Sequence, residues 1–353
     1  MLRPRMTVLV GLALLAAVVP ASAEVWRETS ERTLPATGLR ALRAENPSGL
    51  IQVRPSADGQ VHITALKVIH GDTGDHDRLA RGARVEIENH AGVLELRVVY
   101  PPGAHITLNF WDLFNGFEIP RVEVRLAVQA PVGVPITLSS ASGDLDTDGM
   151  LAPQNLSSSS GDITARNAGR VAASSASGDL FGVDCAEGTF RSTSGDVVVD
   201  SARGPVTIGT SSGDAAARHL ADSLRVETVS GDIRVDRAPR GLVASTGSGT
   251  IDVQRAAGRV SVESARGDLK LGLEAPLAAS SIESGSGDIE LRLAAGTGCD
   301  LEVRTSNGTL DAALPIRVQT MNRHMISAIV GRGGPVLTIR SSSGDIHMTS
   351  GGN

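Results

Sequence analysis

The residues best suited to chemistry recur as one short group. Gly is followed by Asp at Gly143-Asp144, Gly161-Asp162, Gly178-Asp179, Gly195-Asp196, Gly213-Asp214, Gly231-Asp232, Gly267-Asp268, Gly287-Asp288 and Gly344-Asp345. Stacked at the ~4.8 Å spacing of β-strands, such carboxylates could hold Ca²⁺ or supply the carboxylate pair of a glycosidase. Two departures favour plain turn capping. Thr250 and Thr309 take the Asp position in otherwise ordinary repeats, and Thr caps a turn N–H well but is a poor hard-cation ligand. A calcium β-roll needs Gly-rich Asp turns roughly every nine residues, about twice as often as they come here. No cofactor is therefore expected; calcium stays as the alternative and predicts a large loss of melting temperature in chelator.

A hydroxyl stands three residues before each of these glycines, as in Ser140, Ser175, Thr210, Thr246, Ser264 and Ser341. A nucleophile needs a base beside it. The eight His are scattered and none recurs with the motif, so no hydrolase constellation assembles and the column reads as a ladder satisfying turn amides. No Cys/His grouping has zinc spacing. Outward charges such as Asp148, Arg166, Asp200, Arg218 and Asp236 read as complementary cross-strand columns.

The elements that position these residues follow from the spacing. Gly at 143, 161, 178, 195, 213, 231, 249, 267, 287, 308 and 344 gives intervals of 18, 17, 17, 18, 18, 18, 18, 20, 21 and 36. Aliphatics lie mostly seven and five residues before each Gly, and two and four after it, as with Leu224, Val226, Ile233 and Val235. Positions two apart share one strand face. Each unit is thus two short strands with one face inward, and it buries that face only when copies stack. The predicted fold is all-β: a parallel β-solenoid of about 18 residues per coil with an N-terminal antiparallel β cap or insertion. The 36-residue interval reads as two periods, with Ile316, Val318 and Thr320 in a degenerate coil. Leu42, Ala44, Asn46, Gly49, Ile51 and Val53 match the same template. Residues 55–130 then read as an antiparallel meander.

The expected divisions are a signal peptide at 1–23, an N-terminal β-rich cap region at 24–130 that includes the first solenoid-like pair at 40–54, repeats at 131–350, and a tail at 351–353. Arg3 and Arg5, the apolar run Val8 to Val19 and Ala21-Ser22-Ala23 have the form of an export signal. Cleavage before Glu24 leaves 31 basic against 39 acidic side chains, a net charge of −8, and no second apolar run long enough to span a membrane. This acidity, with only 2% aromatic residues, excludes nucleic acid, which needs a basic stripe and usually stacking rings. The expected location is exported: periplasmic, or cell-surface and extracellular.

Cys185 and Cys299 lie six coils apart in this register, about 29 Å at the strand spacing, so both thiols are expected free. The remaining candidates are apolar. Phe110, Trp111, Phe114 and Phe117 share one loop and form a contact site for a protein or glycan, or else a plug on the solenoid. Phe181, Val183 and Val198 occupy outward positions that are charged in other coils, the surface such a plug would cover.

The Ser-Gly-Asp-Ile/Leu turns, the opening Asn46-Pro47-Ser48-Gly49-Leu50-Ile51-Gln52-Val53 and the lead-in Val132-Gly133-Val134-Pro135-Ile136-Thr137-Leu138 resemble the putative-adhesin β-strand-repeat family of bacterial exported proteins. The resemblance spans roughly residues 40 to 350 and carries no catalytic residues. It implies an exported, non-catalytic solenoid serving as a binding module or envelope scaffold, with an unknown protein or glycan as partner. The alternative is a carbohydrate-active β-helix lyase or hydrolase, which needs unpaired Asp, Arg, Lys or His gathered in one groove.

Overall fold

The structure is a computed structural model that describes residues 25–70, 82–100, 121–322 and 325–351. Two long sheets, sheet A of 15 strands and sheet B of 16, face each other across one core. Each coil runs out along sheet B and returns along sheet A, and its neighbours pair with it in parallel register. Ile233 lies beside Ile251 and Ile251 beside Leu269, and all three are fully buried. The fold is a β-solenoid, as the spacing predicts. Each buried Val, Leu or Ile stabilises by roughly 1.5–3 kcal/mol, but an isolated coil has no neighbour to bury it.

The motif corner is held by three ladders. In coils up to Gly213 the motif hydroxyl accepts its own Gly N–H, as Ser175 Oγ does from Gly178 at 2.8 Å. The same hydroxyl donates to the preceding coil's Gly carbonyl, Gly161 O at 3.3 Å. Asn46, fully buried in this column, donates instead to Val124 O at 2.7 Å. The Asp column caps not its own turn but the next coil: Asp179 N–H donates to Asp162 Oδ1, and Asp196 N–H to Asp179 Oδ1, both at 2.8 Å. Thr309 accordingly stands where the ladder ends, receiving a cap from Asp345 at 2.7 Å with no further coil to serve on sheet A.

The corner changes style along the stack. From Gly249 onward the motif Gly takes a positive φ, +133° at Gly267 and +129° at Gly344. One coil earlier, at Gly231, the N–H already turns along the axis to a backbone carbonyl of the neighbouring coil, Ser248 O at 3.0 Å, and this continues with Gly267 to Ser286 O at 2.9 Å and Gly344 to Asn307 O at 3.1 Å. The hydroxyls no longer accept the Gly N–H: Thr246 Oγ1 still donates to Gly231 O at 3.3 Å, but those of Ser264 and Ser341 are buried without a hydrogen-bond partner. One substitution therefore has two signs. Ser175→Ala is expected to cost about 1–2 kcal/mol by orphaning the Gly178 N–H. Ser264→Ala and Ser341→Ala are expected to be neutral or slightly stabilising, since they remove a buried group that has no partner. Denaturant midpoints of the three variants measure this; equal losses would refute the two-style corner.

Both ends depart from sequence order. Val93–Val99 and Arg121–Ala130, expected in a meander, instead pair in parallel with Ala41–Asn46 and Ile51–Pro55. They form a coil outside the first one because Leu94, Leu96, Leu126 and Val128 continue its buried columns. Among the described residues the antiparallel pairs of this region are Val25–Leu34 with Val61–His70, Val61–His70 with Arg121–Ala130, and Arg84–His90 with Val93–Val99.

The degenerate coil expected at 316–325 is corrected outright. Ile316–Asn322 pairs antiparallel with Met325–Val330, which pairs antiparallel with Cys299–Asn307. A bulge between Val318 and Thr320 breaks the expected triplet, leaving Val318 51% exposed. The final coil, Val336–Ser343 and Ile346–Gly351, then returns and inserts between the coils of Ser280–Ser286 and Cys299–Asn307. Alternating aliphatics satisfy parallel and antiparallel pairing alike, so the pattern carried no signal for either choice.

Candidate functional site

The outward face of sheet A carries the site, and parallel register sets its rows. Asp252 lies beside Lys270, Lys270 beside Glu290, Glu290 beside His347 and His347 beside Asp311. In the second row Gly272 neighbours Arg292, and Arg292 neighbours Thr349. Together with Gln254 and Arg255, and leaving out Asp311 at the far end, these residues line a groove of about 620 Å³. Its depression has a local cause. The Asp252 and Lys270 strands lose register beyond Val253, and the backbones close until a Cβ on Gly272 would sit 1.9 Å from Gln254 O. Only glycine fits, and the missing side chain leaves a pit between Lys270, Glu290 and Arg292.

Outward charges are paired at some places on the surface and unpaired at others, where among the described residues exposed Arg218, Glu263, Glu302 and Arg304 form no ion pair. Several rows close: Asp146 bridges Arg54 at 3.0 Å and Arg166 at 3.2 Å, Glu283 meets Arg340 at 2.7 Å, and Asp200 meets His219 at 2.7 Å. The Asp200 carboxylate raises the His219 pKa by accepting its hydrogen bond. At the groove rim His347 pairs with Asp311 at 3.0 Å and Arg255 with Asp236 at 3.4 Å. Lys270, Glu290 and Arg292, all exposed, form no ion pair among the described residues. Three full charges thus face solvent around one pit.

The residues singled out from the sequence fall elsewhere. Phe110, Trp111, Phe114 and Phe117 lie outside the described residues. Phe181 and Val198 are direct neighbours on sheet A, and Val183 shares their outward face beside Arg166 and Asp200. All three are half-buried, a small apolar patch several coils from the groove. The motif glycines and aspartates line one corner of the stack, and among the described residues no group of three His, Cys, Asp or Glu is placed to hold a metal ion. Sequence reasoning missed the groove because His347 reaches it only through the inserted final coil. A glycine at the outward position of Gly272 was the one available hint.

Cys185 and Cys299 are both free and buried, and the inserted coil separates them by one coil more than sequence spacing counts. Burial pushes each thiol pKa up to about 11. Neither should react with a thiol reagent in the native protein at mildly alkaline pH, and both should react after unfolding without reductant. An unfolded, unreduced chain with no titratable thiol would contradict the register.

Comparison with known proteins places this architecture. The family model described as Toastrack DUF4097 matches residues 48–245 and 238–349. No curated protein matches the chain. Similar solved structures include a "putative adhesin" of Bacteroides fragilis, 14% identical, covering 92% of this chain and 97% of that one with a TM-score of 0.29. Another is a "putative lipid binding protein" of Parabacteroides distasonis, 13% identical, covering 90% and 96% with a TM-score of 0.31. A "putative cell adhesion protein" of Clostridium sporogenes is 9% identical and covers 92% and 100% with a TM-score of 0.23.

Proposed function

Because the chain belongs to the Toastrack DUF4097 family, we propose that it is an exported, non-catalytic binding module of the cell envelope. Its ligand is an extended polymer lying along the outward rows of sheet A. The observation that carries this reading is the open pit at Gly272, ringed by Lys270, Glu290 and Arg292 without ion-pair partners. A row of alternating sign, Asp252, Lys270 and Glu290, at a ~4.8 Å repeat suits a chain that bears both charges at short intervals, as a peptide-substituted glycan does. Binding of this kind is shallow and electrostatic, so it weakens with salt.

The geometry does not favour catalysis. Asp252 and Glu290 are two strand spacings apart with Lys270 between them, but Glu290 is exposed. A general acid needs a buried carboxyl whose protonated form persists at neutral pH. The export reading rests on the basic start and apolar run of residues 1–23, and N-terminal sequencing of the secreted chain tests it by finding Glu24 first.

Co-sedimentation with isolated peptidoglycan tests the ligand. Wild-type chain is expected in the pellet at low salt, and Lys270→Glu with Arg292→Glu is expected to lower retention at least tenfold while leaving the unfolding midpoint in place. Wild-type chain that stays in the supernatant, or retention untouched by the double change, would overturn the proposal.

A further inference from the structure

The two ends of the solenoid are finished differently. At the N-terminal end the edge strand Val25–Leu34 sets Ser30 and Arg32 on the face where its neighbour sets Ala65 and Ile63. Polar and charged groups on the inward face of an edge strand block further sheet growth. The other end lacks this protection. Sheet A stops at Leu310–Ala313, while sheet B runs two strands further, through Met325–Val330 to Ile316–Asn322. Among the described residues no sheet A strand lies opposite these two strands; the inward face of the inner one is nevertheless buried at Ala328 and Val330, and the outer one is open. Val318 and Met321 lie in register with the buried Ala328 and Ile326, yet they are 51% and 70% exposed.

We propose that this step is a dimer interface, filled by a second copy of the chain across a two-fold axis parallel to the strands. That rotation brings the sheet B of one copy into the plane of the other's sheet A. Each overhang then lies along the other copy's sheet A edge, and its open outer strand is covered. Ile316–Asn322 lies antiparallel against Leu310–Ala313 of the second copy, and both sheets continue through the junction. The exposed Val318 and Met321 of each copy are then covered by the hairpin of the other. An isologous contact of this form uses the same patch twice and ends the assembly at two chains.

Charge selects this arrangement over its alternatives. The overhang strand carries Arg317 and no acidic residue, and the sheet A edge carries Asp311 and no basic one. Both side chains are exposed and point outward. The meshed pairing sets Arg317 beside Asp311 at each of its two seams. Pairing like edges would set Arg317 against Arg317 and Asp311 against Asp311. A head-to-tail polymer fails on shape: at the N-terminal end sheet A exceeds sheet B by one strand, which does not fill a two-strand step, and Arg32 would enter the junction.

Sedimentation velocity of the full chain at micromolar concentration tests this. Wild type is expected at the mass of two chains. Val318→Glu is expected at one chain with an unchanged circular dichroism spectrum. Arg317→Glu and Asp311→Arg are each expected to weaken the dimer about tenfold or more, because like charges then meet at the seam, and the combined R317E/D311R chain is expected to recover it. A one-chain wild type, an open-ended series of larger species, a different protein held at this end, or a combined variant no better than its parents would each overturn the proposal.

Discussion

Gly178→Ala is expected to lower the stability of the solenoid by about 3 kcal/mol or more, although only one methyl group is added. The new Cβ would sit 2.0 Å from Gly161 O and 2.5 Å from its carbonyl carbon. Both are backbone atoms of the coil below, so no side chain can rotate away. Relief requires the two coils to separate, which breaks the hydrogen bonds of Ser175 to Gly161 O and of Asp179 N–H to Asp162 Oδ1. The same contact recurs from Gly143 to Gly344, each would-be Cβ lying within 2.3 Å of the preceding motif carbonyl. Gly133→Ala is the control, since a Cβ there meets nothing within 4 Å; it should change stability by about 0.5 kcal/mol or less. Guanidinium midpoints of the two variants decide, and equal midpoints would mean that the coils are not in backbone contact at the corner.

Phe190→Ala is expected to cost about 3–5 kcal/mol, the usual loss for a buried aromatic. Phe190 is only 1% exposed in columns otherwise built of small aliphatics. Two glycines make its space: a Cβ on Gly182 would lie 2.4 Å from Phe190 Cζ, and one on Gly188 2.3 Å from Cε2. Gly182 meets no other atom as closely, so Gly182→Val should be strongly destabilising alone but should refill the cavity left by Phe190→Ala. The double variant is therefore expected to be more stable than the sum of its parts by about 1–3 kcal/mol, the coupling typical of residues in contact. Additive losses would show that Gly182 is glycine for another reason.

These cases also mark how much of the site the sequence disclosed. The motif glycines stood out by repetition, but their cause did not. Gly267 and Gly344 combine a positive φ with the close carbonyl of the neighbouring coil, while at Gly178 that carbonyl alone makes the demand. The Asp column was legible as capping, yet the capped amide belongs to the next coil rather than to its own turn. The groove at Gly272 stayed hidden, because its row joins Glu290 to His347 across a chain separation of 57 residues.

What could be read from the residue order was everything that each coil repeats: the two strands, the inward aliphatic pairs, the hydroxyl, glycine and aspartate columns, and hence a stacked β fold. Parity and turn chemistry act within a few residues and recur in every coil, so they leave a periodic trace. The order of coils at the ends, the antiparallel hairpin at 316–330 and the place of His347 came from packing alone. An apolar strand edge is satisfied by any neighbour of matching alternation, parallel or antiparallel. The choice falls to loop closure and to which arrangement buries more of the aliphatic columns, and neither is written in the local pattern.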